Sequence, residues 1–161
     1  MASTLTVDSI VGRASSTDVH IPGHVIGFAQ SAHAVQQAIT SGTFASLGLS
    51  VSYTNKSATS LILVEYHIPV ELYDGGSNSE VIGETALYDG GSSVGTTFQT
   101  ITTMQNMRRN GNSLYSRYIQ TAGDTNAHTW TVYGRVSGGV DTCTFFRYNL
   151  NGYITVKEIA Q

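Results

Sequence analysis

Ionic side chains are scarce in this chain: Asp, Glu, Lys and Arg make up 12% of its residues, where globular proteins average about 25%. The 8 Lys and Arg against 11 Asp and Glu leave a formal net charge of −3, and the arginines are scattered apart from Arg108-Arg109. Nucleic-acid binding is therefore not expected, because it needs a basic footprint to neutralise phosphates. Solubility has to come from Ser, Thr, Asn and Gly. Cysteine is also nearly missing. Cys143 stands alone, so no intrachain disulfide staples the fold, and a lone Cys of this kind reads as a small buried hydrophobe.

No run approaches the roughly 20 apolar residues of a membrane span, so membrane insertion is not expected. The opening Met1 to Asp8 lacks the basic and apolar regions of a signal peptide, which predicts synthesis in a cytoplasm. No phosphate-binding loop or Cys-x-x-Cys pair occurs, and those are patterns that would announce nucleotide or redox chemistry. The expectation is a protein without catalytic residues, resident metal or cofactor.

What the chain does have is alternation. Its 161 residues, 40% hydrophobic, suit one domain with a real core plus a short appendage. In Thr4 to Val11, Leu5 and Val7 face one way and Thr4, Thr6 and Asp8 the other, as in an extended strand. Pro22-Gly23 is a strong break. Residues 1–24 thus read as a thin arm that cannot bury its apolar face alone, and Leu5, Val7, Ile10 and Ile21 are its candidate attachment residues.

From Val25 onward the pattern predicts strand after strand: Val25 to Gln30, Phe44 to Thr54, Ser60 to Tyr73, Glu80 to Tyr88, Thr96 to Thr102, Ser113 to Gln120, His128 to Ser137, Thr142 to Tyr148 and Tyr153 to Ile159. Their spacing is that of an all-β sandwich or barrel. Trp130, Val132, Gly134 and Val136 share one face of a single strand. Leu61 to Val64 is apolar on both faces, as expected of a strand buried between its sheet and a further layer, such as a neighbouring subunit. Ala32 to Ile39 fits a short helix or a strand equally well. Asn110-Gly111 and Asn151-Gly152 are pairs favoured by tight hairpin turns, whose central residues need positive φ. Leu72-Tyr73-Asp74-Gly75-Gly76-Ser77 recurs as Leu87-Tyr88-Asp89-Gly90-Gly91-Ser92, which reads as two loops at the same end of a sheet.

Candidate chemistry is thin. His20 and His24 have a helical metal-ligand spacing, but Pro22 and Gly23 between them forbid the helix. Glu65 and His67 share a strand face, as a polar pair or as two ligands short of the three or four that zinc takes. Asp74 and Asp89 offer oxygen ligands in Gly-rich loops without the spacing of a calcium loop, and turn aspartates commonly bond their own backbone. Arg108 and Arg109 form the most distinctive loop, and guanidinium groups make forked bonds to anions. The aromatic residues from Tyr115 to Tyr153 fit either core and interface anchors or a sugar-stacking platform.

Three stretches carry a resemblance: Ser3–Ile10 with Val19–Ile26, then Gly48–Val64, then Trp130–Val136 with Asn151–Ile159. In their order and spacing they resemble the small trimeric decoration and fibre proteins of marine and cyanobacterial tailed bacteriophages, across nearly the whole chain. The resemblance implies an antiparallel β-sandwich of jelly-roll type over residues 25–161, with an extended N-terminal arm. It also implies a homotrimer, attachment to the major capsid protein or to tail or neck proteins, and a place in the virion after assembly in the host cytoplasm. The Tyr-Asp-Gly-Gly-Ser loops and the Arg108-Arg109 loop depart from that pattern. They keep open a second function, a fibre-tip module that recognises host surface glycans through Asp74, Asp89, Arg108 and Arg109.

Overall fold

The computed structural model describes residues 22–74, 81–94, 99–102, 109–137 and 142–161. The arm proposed for residues 1–24 lies almost wholly outside them. The strands are β1 (Val25–His33), β2 (Gln37–Ile39), β3 (Ala45–Thr54), β4 (Leu61–Tyr73), β5 (Ile82–Asp89), β6 (Ser92–Ser93), β7 (Gln99–Thr102), β8 (Arg109–Thr121), β9 (Ala127–Ser137), β10 (Thr142–Phe145) and β11 (Gly152–Ile159). A single 3-10 turn, Arg147–Asn149, separates the last two. All pairings are antiparallel.

Two sheets form, and several short strands are collinear halves of longer ones. β11 and β10 pair in succession with the same edge of β4, at 61–67 and 70–73. β1 and β2 continue outward from them in turn. In the other sheet β7 and β6 both pair with β5, on the side away from β9. Counting each broken pair once gives four strands per sheet. In chain order the first sheet runs 1-8-3-6 (β1/β2, β10/β11, β4, β8) and the second 2-7-4-5 (β3, β9, β5, β6/β7). That is the strand order of a jelly roll, as the family resemblance implies.

Alternation explains the core. Ile62, Val64, Tyr66, Ile68, Val70 and Leu72 of β4 point inward and are buried, and Trp130, Val132 and Val136 of β9 meet them from the second sheet. Cys143 is buried among them, and burial pushes its thiol up to about 12, so it behaves as an inert apolar group.

The structure departs from the sequence expectations at its turns. Asn110-Gly111 is no hairpin turn: it lies in β8, opposite Leu72 and Glu71, because β8 pairs with β4 along its whole length. Nor is Asn151-Gly152 one. Positive φ falls instead at Phe146, Tyr148 and Asn149, which stops β10 at Phe145 rather than at Tyr148. Gly152 opens β11 because a Cβ there would meet the Phe146 ring at 2.5 Å. Ala32 to Ile39 resolves as strand, ending β1 and forming β2. The two Asp-Gly-Gly segments do not share an end. β5 runs the length of the sandwich, so Asp74, at the end of β4, and Asp89, at the end of β5, sit at opposite ends.

Candidate functional site

The outward face of the first sheet draws the candidate site together. Strand alternation puts residues 61, 63, 65 and 67 of β4 outward, and the pairing register sets their neighbours. One row crosses the sheet as Val25, Ile159, Leu61 and Thr121. The next is Phe28, Lys157, Leu63 and Ile119, then Gln30, Thr155, Glu65 and Arg117, then Ala32, Tyr153, His67 and Tyr115.

The first two rows are apolar except for Thr121 and Lys157. Val25, Phe28 and Ile119 stay 55%, 57% and 50% exposed, although each is a large hydrophobic side chain in a regular strand. The doubly apolar Leu61 to Val64 thus divides between two settings. Ile62 and Val64 are wholly buried in the core, while Leu61 and Leu63 lie outward and are only partly covered.

The following rows are polar and aromatic. Glu65 accepts the Tyr115 hydroxyl at 2.5 Å and the Lys157 ammonium at 2.8 Å. The hydrogen bond from Lys157, then that from Tyr115, hold its carboxyl below the usual range. The same contact raises the Tyr115 phenol. Tyr115 and Tyr153 flank a shallow recess of about 180 Å³ whose floor carries Glu65, His67 and Thr155.

Two residues further along β4 a second recess, of about 310 Å³, opens between Pro69, Ser113, Arg147, Tyr148 and Leu150. Here Glu71 Oε1 lies 3.1 Å from Arg109 Nη1 and 3.0 Å from Arg147 Nε. Arg109 lies over the Tyr73 ring and Arg147 over the Tyr148 ring, 5.3 and 4.3 Å from their centroids.

Of the residues singled out from sequence, Glu65 and His67 do share this face. Arg109 reaches it through Glu71. Asp74 is buried rather than displayed. Asp89 is held at 2.6 Å by His128 Nδ1, whose Nε2 lies 3.0 Å from Asp124, so it is tied to a neighbouring strand rather than standing free in a loop. Leu5, Val7, Ile10, Ile21 and Arg108 lie outside the described residues. Asp74 and Asp89 are too far apart in the fold to share an ion, and among the described residues no group of three or more His, Cys, Asp or Glu side chains is arranged to hold a metal.

Sequence reasoning missed Lys157, Arg117 and Arg147, because nothing in the spacing of residues 65–71 ties them to residues 109–117 and 147–157. Only the strand register does so.

No protein-family model matches the chain, and no curated protein does. Among solved structures it is similar to dimeric latent PorU from Porphyromonas gingivalis, with a TM-score of 0.41 and 12% identity. The match covers 89% of this chain but only 13% of the PorU chain. A likeness so distant carries no argument.

Proposed function

We propose that this chain is a structural protein of a tailed-bacteriophage virion, a capsid decoration protein or short fibre that assembles as a homotrimer. Subunits meet through the apolar rows of the first sheet. The observation that carries this reading is the outward pair of rows holding Val25, Phe28, Leu61, Leu63 and Ile119, where three large side chains remain half-exposed on a regular sheet. A second copy that covered them would remove apolar area from water at about 25 cal/mol per Å². The three matching sequence stretches support the virion setting, and the jelly-roll strand order agrees with what they imply.

The alternating Leu5, Val7, Ile10 and Ile21 are proposed as the attachment residues of the arm. The described chain enters β1 beside its own C-terminal end, where Gly23 N donates to Ala160 O at 2.8 Å and Ala160 N to His24 O at 2.9 Å. β1 begins at Val25 in the first apolar row of the outward face. The test is the solution mass of the full chain and of a form lacking residues 1–24. Trimers in both place assembly in the sandwich and free the arm to grip a capsid or tail protein. Monomers in both defeat the proposal.

A further inference from the structure

Half of the chain's cations gather on one half of one face. Lys157, Arg117, Arg109 and Arg147 are four of its 8 Lys and Arg; Arg117 stands in the polar rows, Lys157 reaches Glu65 there from the adjoining apolar row, and Arg109 and Arg147 stand at the second recess. Among the described residues the carboxylates with them are Glu65 and Glu71, so the balance there is four minus two, or +2, on a chain of formal net charge −3. Each carboxylate serves two cations. Glu65 bonds Lys157 and feels Arg117, while Glu71 sits between Arg109 and Arg147. One positive charge is therefore left over at each recess.

The two recesses adjoin. His67 and Pro69 are successive outward residues of β4, and Tyr115 and Ser113 are their partners on β8. The stretch from Glu65 to Glu71 spans about 20 Å at the ordinary strand rise. Tyrosine rings stand along it: Tyr115 and Tyr153 beside the first recess and Tyr148, 71% exposed, beside the second.

Tyr148 is held there against its backbone preference. Phe146, Tyr148 and Asn149 have φ of 55°, 59° and 56°, a left-handed conformation that is unfavourable for a residue such as Tyr. Gln36 maintains it. Its Oε1 accepts from Tyr148 N at 3.1 Å, and its own N–H donates to Asn149 Oδ1 at 3.2 Å. The loop is thus fixed before any ligand arrives.

We propose that this half of the face binds an extended acidic glycan, a sugar chain bearing carboxylates. The rings of Tyr115, Tyr153 and Tyr148 offer flat, amphipathic surface for the C–H faces of sugar rings. The surplus guanidinium charge of Arg117 and Arg109 takes the carboxylates through forked bonds. Ser113 and Thr155 bond hydroxyl groups. A neutral sugar would use the rings and leave the cations unanswered. The site adjoins the subunit contact and shares only Lys157 with its rows, while the rings and the guanidinium groups that would hold the ligand lie in other rows.

The test is calorimetric titration of the full chain with three acidic chains, oligogalacturonate, hyaluronan and polysialic acid, alongside the methyl ester of oligogalacturonate as a neutral counterpart. Binding of at least one acidic chain is expected, weakened about tenfold or more, about 1.4 kcal/mol, in the Arg117→Gln/Arg109→Gln double variant. Added salt should weaken it too, by screening. Arg135→Gln, on the second sheet, should leave it unchanged. Tyr148→Asn is a second variant that keeps a residue tolerant of left-handed backbone, and it too should bind more weakly. No heat with any acidic chain, equal binding of an acidic chain by the double variant, or binding of the methyl ester as tight as that of the acid would overturn the proposal.

Discussion

Ser60 donates its hydroxyl to Glu158 at 2.6 Å, across 98 positions of sequence, with both side chains buried. Glu158 also accepts from the Tyr53 hydroxyl at 2.6 Å and from the backbone N–H groups of Lys56 and Ser57 at 2.9 Å. One inward carboxylate at the end of β11 thus ties down the whole connection from β3 to β4. Burial by itself would raise its pKa, but these hydrogen bonds together outweigh burial and hold the group below the usual range.

Replacing Glu158 by Ala should therefore cost about 3 kcal/mol or more, since four donors, the buried Ser60 hydroxyl among them, lose their acceptor. Glu158→Gln keeps one acceptor oxygen and should cost roughly half as much. Urea denaturation at neutral pH reads both. Because the folded pKa is depressed, this contribution is present above the unfolded value of about 4.3 and disappears as pH falls through the folded one. An Ala variant as stable as the parent would show that the connection is held by other contacts.

His128 should make the protein lose stability on the alkaline side. Both ring nitrogens face carboxylates, Asp89 at 2.6 Å and Asp124 at 3.0 Å, and a neutral imidazole can donate to only one. The hydrogen bond to Asp124, then that to Asp89, raise its pKa, while Asp124 is lowered to about 2. A raised folded pKa means that the stabilisation is complete below the unfolded value of about 6.5 and fades as pH climbs through the folded one. The melting temperature should fall over that window in the parent and stay flat in His128→Asn. Parallel pH profiles for the two would remove the charged network.

Gly134 should not accept a side chain. A Cβ there would lie 2.7 Å from Phe145 Cζ and 3.0 Å from Leu47 Cδ2, in a core where Phe145 and Leu47 are both fully buried. Gly134→Ala should cost about 1–3 kcal/mol by overpacking, readable as a lower urea midpoint. An unchanged midpoint would mean that Phe145 has room to swing aside.

Strand faces were legible in the sequence because alternation reports them directly. Trp130, Val132, Gly134 and Val136 form the expected inward face of β9, and the doubly apolar Leu61 to Val64 marks the strand whose outward side is half-covered. Partners were not legible, because alternation gives faces and not neighbours. Glu65 and Lys157 meet across 92 positions, and Asp89 meets His128 because β5 and β9 pair in one register. Turn chemistry misled where a long partner strand prevailed. Asn110-Gly111 suits a hairpin, yet the ladder between β8 and all of β4 draws it into the strand.

Leu63 and Val64 separate association from folding. Val64 is wholly buried and Leu63 lies outward beside Ile119. Val64→Ala should lower the stability of the fold itself by about 2 kcal/mol. Leu63→Ala should lower only the dissociation midpoint of the assembly. Thermal melts followed at several protein concentrations distinguish the two, since only the assembly responds to mass action. Concentration-independent melts for every form would argue against assembly through this face.

Ile119→Asp places a charge at the β8 end of the outward apolar rows without touching the core, so the most direct measurement is light scattering on the parent and on this variant. The account predicts a mass near three times 17.2 kDa for the parent and a folded monomer for Ile119→Asp. A monomeric parent, or a variant that remains trimeric, would contradict it.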